Sequence, residues 1–277
     1  MTASILTEAD CLRPAWRVSS RVHALVTTRA GGVSLPPYGR WADGREAAGG
    51  LNLGLHTGDD PSHVAQNRAR LLSLAGVRAA WLEQVHGDVI VRADEVPLDA
   101  PAVRADASVT SVAGVACLVM VADCLPVLLC DGQGRAVGAA HAGWRGLAAG
   151  IVEKTAQRVA DSARCGPEAL HAYLGPAIGP AAFEVGEEVR EAFMAAARPP
   201  ERDAIARAFL ARTSGLGKES GKYWADLYAL ARTRLARLGV KHVTGGDACT
   251  VTDRERFYSY RRDRVTGRMA AMIWLTE

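Results

Sequence analysis

The sequence has no long hydrophobic run and little excess of charge of either sign. Its 277 residues include 33 lysines and arginines against 30 aspartates and glutamates, a net charge of +3, and these charges are scattered along the chain. Nearly balanced and scattered charges do not predict the basic patch that a nucleic-acid-binding surface needs. The longest apolar stretch is cut by Asp123 and Pro126 and falls short of the roughly 18 residues that a membrane span needs. We therefore expect neither nucleic acid nor a membrane as a partner.

The sequence also lacks a secretory signal and paired cysteines. The first residues, "MTASILTEADCLRPAW", contain acids and no long apolar core, so we expect a cytoplasmic protein. None of the six cysteines forms a Cys-x-x-Cys pair. In a reducing compartment such cysteines are free thiols or metal ligands rather than a disulfide framework.

Strand-like and helix-like segments alternate, and no repeat or low-complexity linker divides them. Strands are predicted at "VHALVTT", which the turn-like "RAGG" closes, and at "DVIVRA", "ASVTSV", "VACLVMVA", "PVLLC" and "AVGAAH". Helices are predicted from Asp60 and Pro61 to Gly76, over 146–163, from about Glu184, and over "YWADLYALARTRLARLG". The segment "LPPYGRWADGREAAGG" is predicted to be a loop, 198–222 to be mobile, and "RFYSYRR" and "RMAAMIWL" to form a closing hairpin. A single α+β domain over 1–277 is the simplest account, and 49% apolar residues suffice for its core.

An acid and a thiol interrupt the apolar run "VMVADCLPVLLCD". Pro126 has no backbone donor and restricts the residue before it, so a central strand should not continue through this point. Asp123 and Cys124 are therefore expected at a strand end. His141, in "HAGWRG", stands where another strand gives way to a helix. The recurrence predicts one site built from two strand ends.

Two interpretations compete for the Cys124 sulfur. His86 in "QVHGD", Cys124 and His141 supply the nitrogen and sulfur donors of a catalytic zinc site, which keeps a fourth position open. Alternatively, Cys124 and His141 form a metal-free catalytic dyad. A chelator distinguishes the two, because only the zinc site loses activity to it.

Several residues nearby are candidates for binding an anion. Arg29 begins a glycine-containing segment whose amides can approach a ligand closely. Arg145 lies near the expected start of a helix, and Arg261 ends the "FYSY" segment beside Arg262. Asn52 in "LNLG" is a possible ligand donor or a turn residue. For each arginine, an ordinary ion pair or a solvated charge is the competing interpretation.

Taken together, these segments resemble the YfiH-type family, also called the laccase-domain or multicopper polyphenol oxidase family. The resemblance rests on "TTRAGGVS", "LNLGLHTGDDP", "WLEQVHGDVI", "ADASVTS", "MVADCLPVLLCD", "AAHAGWRGLAAGI", "LGPAIGPAAFEVGEEV" and "FYSYRRDRVTGRMAAMIWL", in that order, and covers about 27–275. It implies a single-domain mixed α/β sandwich with a fold similar to cysteine hydrolases, and zinc on His86, Cys124 and His141.

The resemblance also implies purine nucleoside phosphorylase activity on adenosine, inosine, guanosine and 5′-methylthioadenosine, with adenosine deaminase activity in addition. Copper is less expected than zinc, because the chain lacks an obvious blue-copper arrangement of ligands. A cysteine hydrolase or amidase that edits peptidoglycan precursors is the alternative, and a binding protein without turnover is a third possibility. We expect a monomer or weak oligomer.

The chain departs from the family pattern at two places. The segment from Arg40 to Gly50 is longer than usual, so the rim of the pocket is expected to differ. Ala181 and Ala182 stand where many members have cysteine, so a thiol role there is absent. For the mechanism, we predict phosphate contacts from Arg29, Asn52 and Arg261, with Arg145 as a further contact, and Asp123 as a proton carrier beside Cys124.

Overall fold

The computed structural model describes residues 6–97, 101–213 and 219–277. The strands are β1 Cys11–Leu12, β2 Val22–Thr27, β3 Ala30–Ser34, β4 Arg40–Ala42, β5 Arg45–Ala47, β6 Arg78–Ala80, β7 Leu82–Glu83, β8 Ile90–Arg92, β9 Val103–Arg104, β10 Ala107–Thr110, β11 Val115–Val121, β12 Leu125–Asp131, β13 Val137–Ala142, β14 Leu170–Leu174, β15 Glu184–Gly186, β16 Phe209–Thr213, β17 Glu219–Ala225, β18 His242–Gly245 and β19 Met269–Leu275. The helices are α1 Pro61–Ala75, α2 Trp144–Ala149, α3 Ile151–Ala163, α4 Glu187–Ala195, α5 Arg202–Arg207, α6 Leu227–Ala236 and α7 Tyr260–Asp263.

Two mixed sheets form the centre of the molecule. The five-stranded sheet has the order β1-β2-β19-β11-β6, and the six-stranded sheet has the order β18-β14-β12-β13-β10-β8. Apolar residues from both sheets, including Val119, Leu128 and Ile273, form one buried cluster between them. Helix α3 packs on the outer face of the six-stranded sheet, α4 and α6 join the same apolar cluster beside it, and α1 covers the outer face of the five-stranded sheet. The layers are therefore α/β/β/α, which confirms the mixed α/β sandwich.

The apolar run at β11 follows from this layering. All seven of its residues are buried. Its side chains alternate, so that Cys117 and Val119 face the inter-sheet core while Leu118 and Met120 face the layer of α1. A strand with both faces covered needs no polar side, and therefore reads as continuous hydrophobic sequence.

The capping prediction for α1 is confirmed. The Asp60 carboxylate accepts a hydrogen bond from the backbone N–H of Ser62 at 2.8 Å, Pro61 is the first helical residue, and Gly76 follows with a φ of 66°. Proline at this position loses no helical hydrogen bond, and glycine tolerates the left-handed conformation.

The predicted helix over 146–163 is two helices. Gly150, with a φ of 91°, stands between α2 and α3, because a left-handed residue cannot continue a right-handed helix. Two other helices begin later than predicted. Glu184 pairs with Trp224 in a β-ladder, so α4 starts at Glu187 and α6 starts at Leu227.

The predicted closing hairpin is wrong. The β19 strand pairs with β2 and β11 rather than with the segment before it. In that segment the Ser259 side chain accepts a hydrogen bond from the Arg262 N–H and caps the short helix α7. A serine cap offers the backbone a local partner, which competes with strand pairing.

Three segments that were predicted as a turn, a loop and a mobile stretch contain helices or strands. The segment 35–50 includes the β4–β5 hairpin, whose turn residues Asp43 and Gly44 have φ values of 52° and 74°, a conformation typical of Asp-Gly hairpin turns. The segment after β2 continues as β3. The segment 198–222 contains α5, β16 and part of β17, and 214–218 lie outside the described residues. No helix in the described ranges is long and apolar enough to cross a bilayer.

Candidate metal centre and ligand cavity

Asp123 and Cys124 lie where the chain passes from one sheet to the other. The β11 strand ends at Val121 in the five-stranded sheet, and β12 begins at Leu125 in the six-stranded sheet. The turn between them holds Asp123 at a φ of 100°. Few residues other than glycine adopt this conformation, so the strand end is a strained position of the kind found at functional sites. The predicted strand end is confirmed.

His86, Cys124 and His141 converge. Their ligand atoms all lie within 4.8 Å of one another, and the two imidazole rings meet edge to face at 4.9 Å between centroids. His141 lies near the end of β13, opposite Pro126 of β12 in the antiparallel register, so the sheet places it beside Cys124. His86 comes from the loop between β7 and β8.

Asp106 holds both histidines, and sequence reasoning did not single it out. One carboxylate oxygen, Oδ1, accepts from the His86 N–H at 2.9 Å and lies 2.8 Å from Nδ1 of His141. The other, Oδ2, accepts from the N–H groups of Val85 and Gly87 at 3.1 and 2.7 Å. The carboxylate is fully buried. The one available signal was an acid directly before a buried strand in "ADASVTS".

The cluster is electrostatically coupled. Burial raises the pKa of the Cys124 thiol, but the charge of His141 and hydrogen bonds from His141 and His86 outweigh burial and lower the pKa to about 6. Burial lowers the pKa of His141, while Cys124 and Asp106 raise it to a net value of about 9. The cysteine is therefore poised to lose its proton near neutral pH, as a metal ligand or a nucleophile must.

The donor set fits a zinc ion. Two imidazoles and a thiolate are the donors that zinc prefers, and a catalytic zinc site uses three protein ligands. Gly143 leaves space for the side chains of His86 and Cys124, because a Cβ at this position would lie 3.0 Å from Cδ2 of His86 and 3.1 Å from Sγ of Cys124. Within the described ranges, this is the one group of three or more such side chains with ligand geometry.

The three donors face a cavity of about 780 Å³. Apolar and aromatic walls come from Leu82, Met120, Val121, Trp144, Ile178, Phe183, Leu227 and Tyr260. The charged lining comprises Arg145, Arg261, Arg264, Arg268, Glu83 and Asp123. Cations therefore outnumber acids, which favours an anionic or partly anionic ligand.

Asp123 lies in this cavity, but both its carboxylate oxygens have partners. Oδ1 accepts from the Thr250 hydroxyl and Oδ2 from the Arg261 N–H, each at 2.6 Å. The carboxylate thereby ties the Cys124 turn to α7, which carries Arg261. Positioning is the role these contacts support, and proton transfer by Asp123 stays a prediction.

The structure places Arg29 and Asn52 outside the cavity lining. Arg29 is fully buried, donates to the Gly39 carbonyl at 2.8 and 3.1 Å, and pairs with Glu46 at 3.0 Å, so its donors serve the β4–β5 segment. Asn52 is also buried, with both ends of its amide hydrogen-bonded. Arg262 donates to three backbone carbonyls and pairs with Asp263.

Arg145 and Arg261 do line the cavity. Arg145 is exposed and lies over the Trp144 ring, 4.5 Å from its centroid. Arg261 donates to the Glu184 carbonyl at 3.0 Å and lies over Phe183. Sequence reasoning missed His56, Arg264 and Arg268, which line the same cavity. The signal available for them was their place in "LNLGLHTGDDP" and "RRDRVTGRMAA", the segments that carry the resemblance.

These observations define a class, an α/β sandwich protein with a candidate three-ligand metal centre in an arginine-lined cavity. The model of the family described as "Multi-copper polyphenol oxidoreductase laccase" matches residues 23–276. Purine nucleoside phosphorylase YfiH of Escherichia coli K12 is 50% identical over 264 residues, with 95% of this chain and 97% of that protein covered. Purine nucleoside phosphorylase PA4543 of Pseudomonas aeruginosa is 48% identical over 266 residues, with 96% and 98% covered.

A solved structure has the same fold. Neisseria meningitidis protein NMB0706 superimposes with a TM-score of 0.83 at 47% identity, covering 97% of this chain and 100% of that one. The chain therefore belongs to the YfiH-type, laccase-domain family, and the resemblance seen in its motifs is confirmed.

Proposed function

We propose that this protein is a zinc-dependent purine nucleoside phosphorylase. The observation that carries the proposal is the convergence of His86, Cys124 and His141 on the wall of a cavity lined by four arginines. The names of the similar Escherichia coli and Pseudomonas aeruginosa proteins support the reaction class. In this proposal the substrates are phosphate with adenosine, inosine, guanosine or 5′-methylthioadenosine.

Phosphorolysis makes demands that these residues meet. The bond from the sugar to the base breaks as positive charge develops on the sugar, as in glycoside cleavage, and phosphate attacks the anomeric carbon. The cavity arginines hold and orient the phosphate, which converts an encounter into an aligned attack. Phe183, Tyr260 and Trp144 supply flat apolar surface for the base and sugar, and exclude water from the reacting centre.

The departing purine needs a proton or an electrophile. His86, Cys124 and His141 would hold zinc, which supplies a Lewis acid and allows a water molecule to ionise near neutral pH. Asp106 fixes the His141 ring so that Nε2 is left to face the centre. Asp123 keeps Arg261 beside the Cys124 turn.

Adenosine deaminase activity is part of the same proposal. In deamination, water adds at C6 of adenine, its oxygen stays on the base to give inosine, and the amino group leaves as ammonia, a reaction that other zinc enzymes catalyse. The cavity of about 780 Å³ has the size of a small-molecule site, and the three donors form part of its wall, so a bound base can approach them. Deamination would need no phosphate, so it is separable from phosphorolysis in one assay.

The cysteine hydrolase alternative uses the same geometry without metal. In this alternative Asp106 orients His141, His141 acts as the base, and Cys124 supplies the thiol. The lowered pKa of Cys124 suits a nucleophile. The names of the relatives favour phosphorolysis over this alternative.

The test is incubation of purified protein with adenosine, with and without phosphate, followed by separation and mass spectrometry of the products. We expect adenine and ribose 1-phosphate only with phosphate, inosine in both samples, and loss of both activities after chelation. Cys124→Ser should lose zinc and turnover, while Cys165→Ser, a thiol outside the cavity lining, should retain both. Adenosine recovered unchanged would refute the nucleoside proposal, and turnover by metal-free protein would refute the zinc requirement.

A further inference from the structure

The cavity arginines differ in what they contact. Arg264 and Arg145 are exposed, whereas Arg261 and Arg268 are partly buried; Arg261 donates to the Glu184 carbonyl and lies over Phe183. Arg268 is partly buried, its Nη1 donates only to the Thr266 and Gly267 carbonyls at 3.1 Å, and within the described ranges no carboxylate pairs with it. A cation removed from water without a counter-ion is costly to keep. Such a site is stabilised when an anion binds.

A histidine accompanies Arg268 in the cavity lining. His56 is in the short 3₁₀ turn Leu55–Thr57 and lines the same cavity. Burial lowers the pKa of His56, and the charges of Arg268 and Arg68 lower it further, so His56 is favoured as a neutral imidazole in the field of the two arginines. Arg68 donates to the Leu53 carbonyl at 2.9 Å, lies over the Trp81 ring, and forms no ion pair in the described part of the chain. The two arginines therefore bring positive charge to this region, and no ion pair in the described residues neutralises it.

This region adjoins the candidate metal centre. Arg268 lines the same cavity as Asp123 and the three candidate ligands His86, Cys124 and His141. An anion on Arg268 would therefore lie near a substrate held against the zinc ligands.

Asn52 holds the two parts of this region together. Its Oδ1 accepts from the N–H of Gly54 at 3.0 Å and from the N–H of Arg268 at 2.8 Å. Its Nδ2 donates to the Thr57 hydroxyl at 2.8 Å. Gly54 allows the close approach, because a Cβ there would lie 2.8 Å from Cγ of Arg268 and 2.9 Å from Cγ2 of Thr57. One buried amide thus fixes the turn that carries His56 against the segment that carries Arg268.

We propose that Arg268 and His56 form the phosphate subsite, with Arg68 reinforcing the positive field from behind and Asn52 acting as its positioning residue. This inference rests on the proposed phosphorolysis, and it relocates phosphate from Arg29 and Asn52. Arg268 presents a guanidinium to a phosphate oxygen pair, a geometry that permits two parallel hydrogen bonds. His56 donates a further hydrogen bond from a ring N–H, which neutral imidazole retains.

The test measures phosphate binding separately from turnover. Zinc-loaded wild type, Arg268→Met and His56→Gln are titrated with inorganic phosphate by calorimetry, and KM values for phosphate and adenosine are then measured. Arg232→Met is the matched control, because Arg232 is also partly buried and donates to two carbonyls, but lines a separate cavity of about 290 Å³. We expect Arg268→Met to raise the phosphate Kd and KM about 10- to 100-fold. The adenosine KM should change little, and Arg232→Met should behave like wild type.

Unchanged phosphate affinity in Arg268→Met and His56→Gln would overturn the subsite, as would phosphate binding that is lost in Cys124→Ser but kept in Arg268→Met. Partial recovery in Arg268→Lys would support it. Asn52→Ala should raise the phosphate KM without lowering zinc content, and a parallel loss of zinc would contradict its positioning role. A wild type that neither binds phosphate nor consumes adenosine would instead refute the proposed function.

Discussion

Replacing Asp106 with asparagine tests whether the candidate metal centre depends on a residue outside its three donors. Each carboxylate oxygen accepts from two donors: Oδ1 from the His86 N–H and from the His141 ring, and Oδ2 from the Val85 and Gly87 N–H groups. An asparagine amide has one oxygen. Whichever way it is turned, its NH₂ group faces two donors that have lost their acceptor.

The magnitude follows from this geometry. Leaving a buried donor without an acceptor costs about 1–3 kcal/mol for each group. With the oxygen toward Val85 and Gly87, the His141 ring loses the bond that selects its tautomer. Loss of such a partner typically weakens metal binding about 10- to 100-fold, which is roughly 1.4–2.7 kcal/mol. We therefore expect Asp106→Asn to fold with reduced stability. It should bind zinc about 10- to 100-fold more weakly than wild type.

Asp131→Asn is the matched control. Asp131 is also buried, and each of its oxygens accepts from two donors, which are the N–H groups of Gln133, Arg135 and Ala136 and the Arg135 side chain. It lies at the other end of β12 from Cys124. Both variants should lose comparable stability in urea, but only Asp106→Asn should lose zinc affinity.

The assay is competition for zinc against a chromophoric chelator, with circular dichroism to confirm that each variant is folded. Equal zinc affinity in Asp106→Asn and wild type would refute the positioning argument. Equal losses in both variants would show that instability, rather than ligand orientation, governs metal binding.

Four further predictions follow from the same structure. In metal-free protein, alkylation of Cys124 should reach half its maximal rate near pH 6, because His141 and His86 outweigh burial and lower the thiol pKa to about 6. Zinc should suppress the reaction, and a midpoint near the ordinary thiol pKa would contradict the coupling to the two histidines. Gly143→Ala should reduce zinc affinity while the protein stays folded, since the new methyl group meets His86 and Cys124, and unchanged affinity in the chelator competition would show that the ligands give way. Leu128→Ala should cost about 2–5 kcal/mol of unfolding free energy in urea, because Leu128 is fully buried between the sheets, and a cost typical of surface residues would contradict that packing. Burial raises the pKa of Asp106, but hydrogen bonds from His141 and the backbone outweigh burial, so the net pKa lies below its ordinary value. The ionised carboxylate should therefore stabilise the fold fully above about pH 4 and less as the pH falls further. Asp106→Asn should accordingly lose less unfolding free energy than wild type on acidification, as measured in urea.

Local sequence determined the elements whose signals are short-range. The apolar run of β11 predicts a strand because both its faces are buried, and Asp60, Pro61 and Gly76 predict the ends of α1 because caps act within a turn of helix. His86, Cys124 and His141 could be named as candidate ligands from their residue types, but their spacing is not a local metal motif, so the sequence left a catalytic dyad open as well. The strand and the helix caps required no knowledge of long-range packing, whereas the convergence of the three candidate ligands did.

Only the tertiary structure decided which charged side chains face the cavity. Arg29 and Arg268 each lie within two residues of a glycine, yet Arg29 contacts Gly39 and Glu46 while Arg268 lines the cavity of the candidate centre. Asp106 contacts His141 because β10 pairs with β13, a register that no local pattern reveals. Residue type can be read from sequence, but the partner that a side chain meets depends on sheet register and layer packing, which are set by contacts between distant segments.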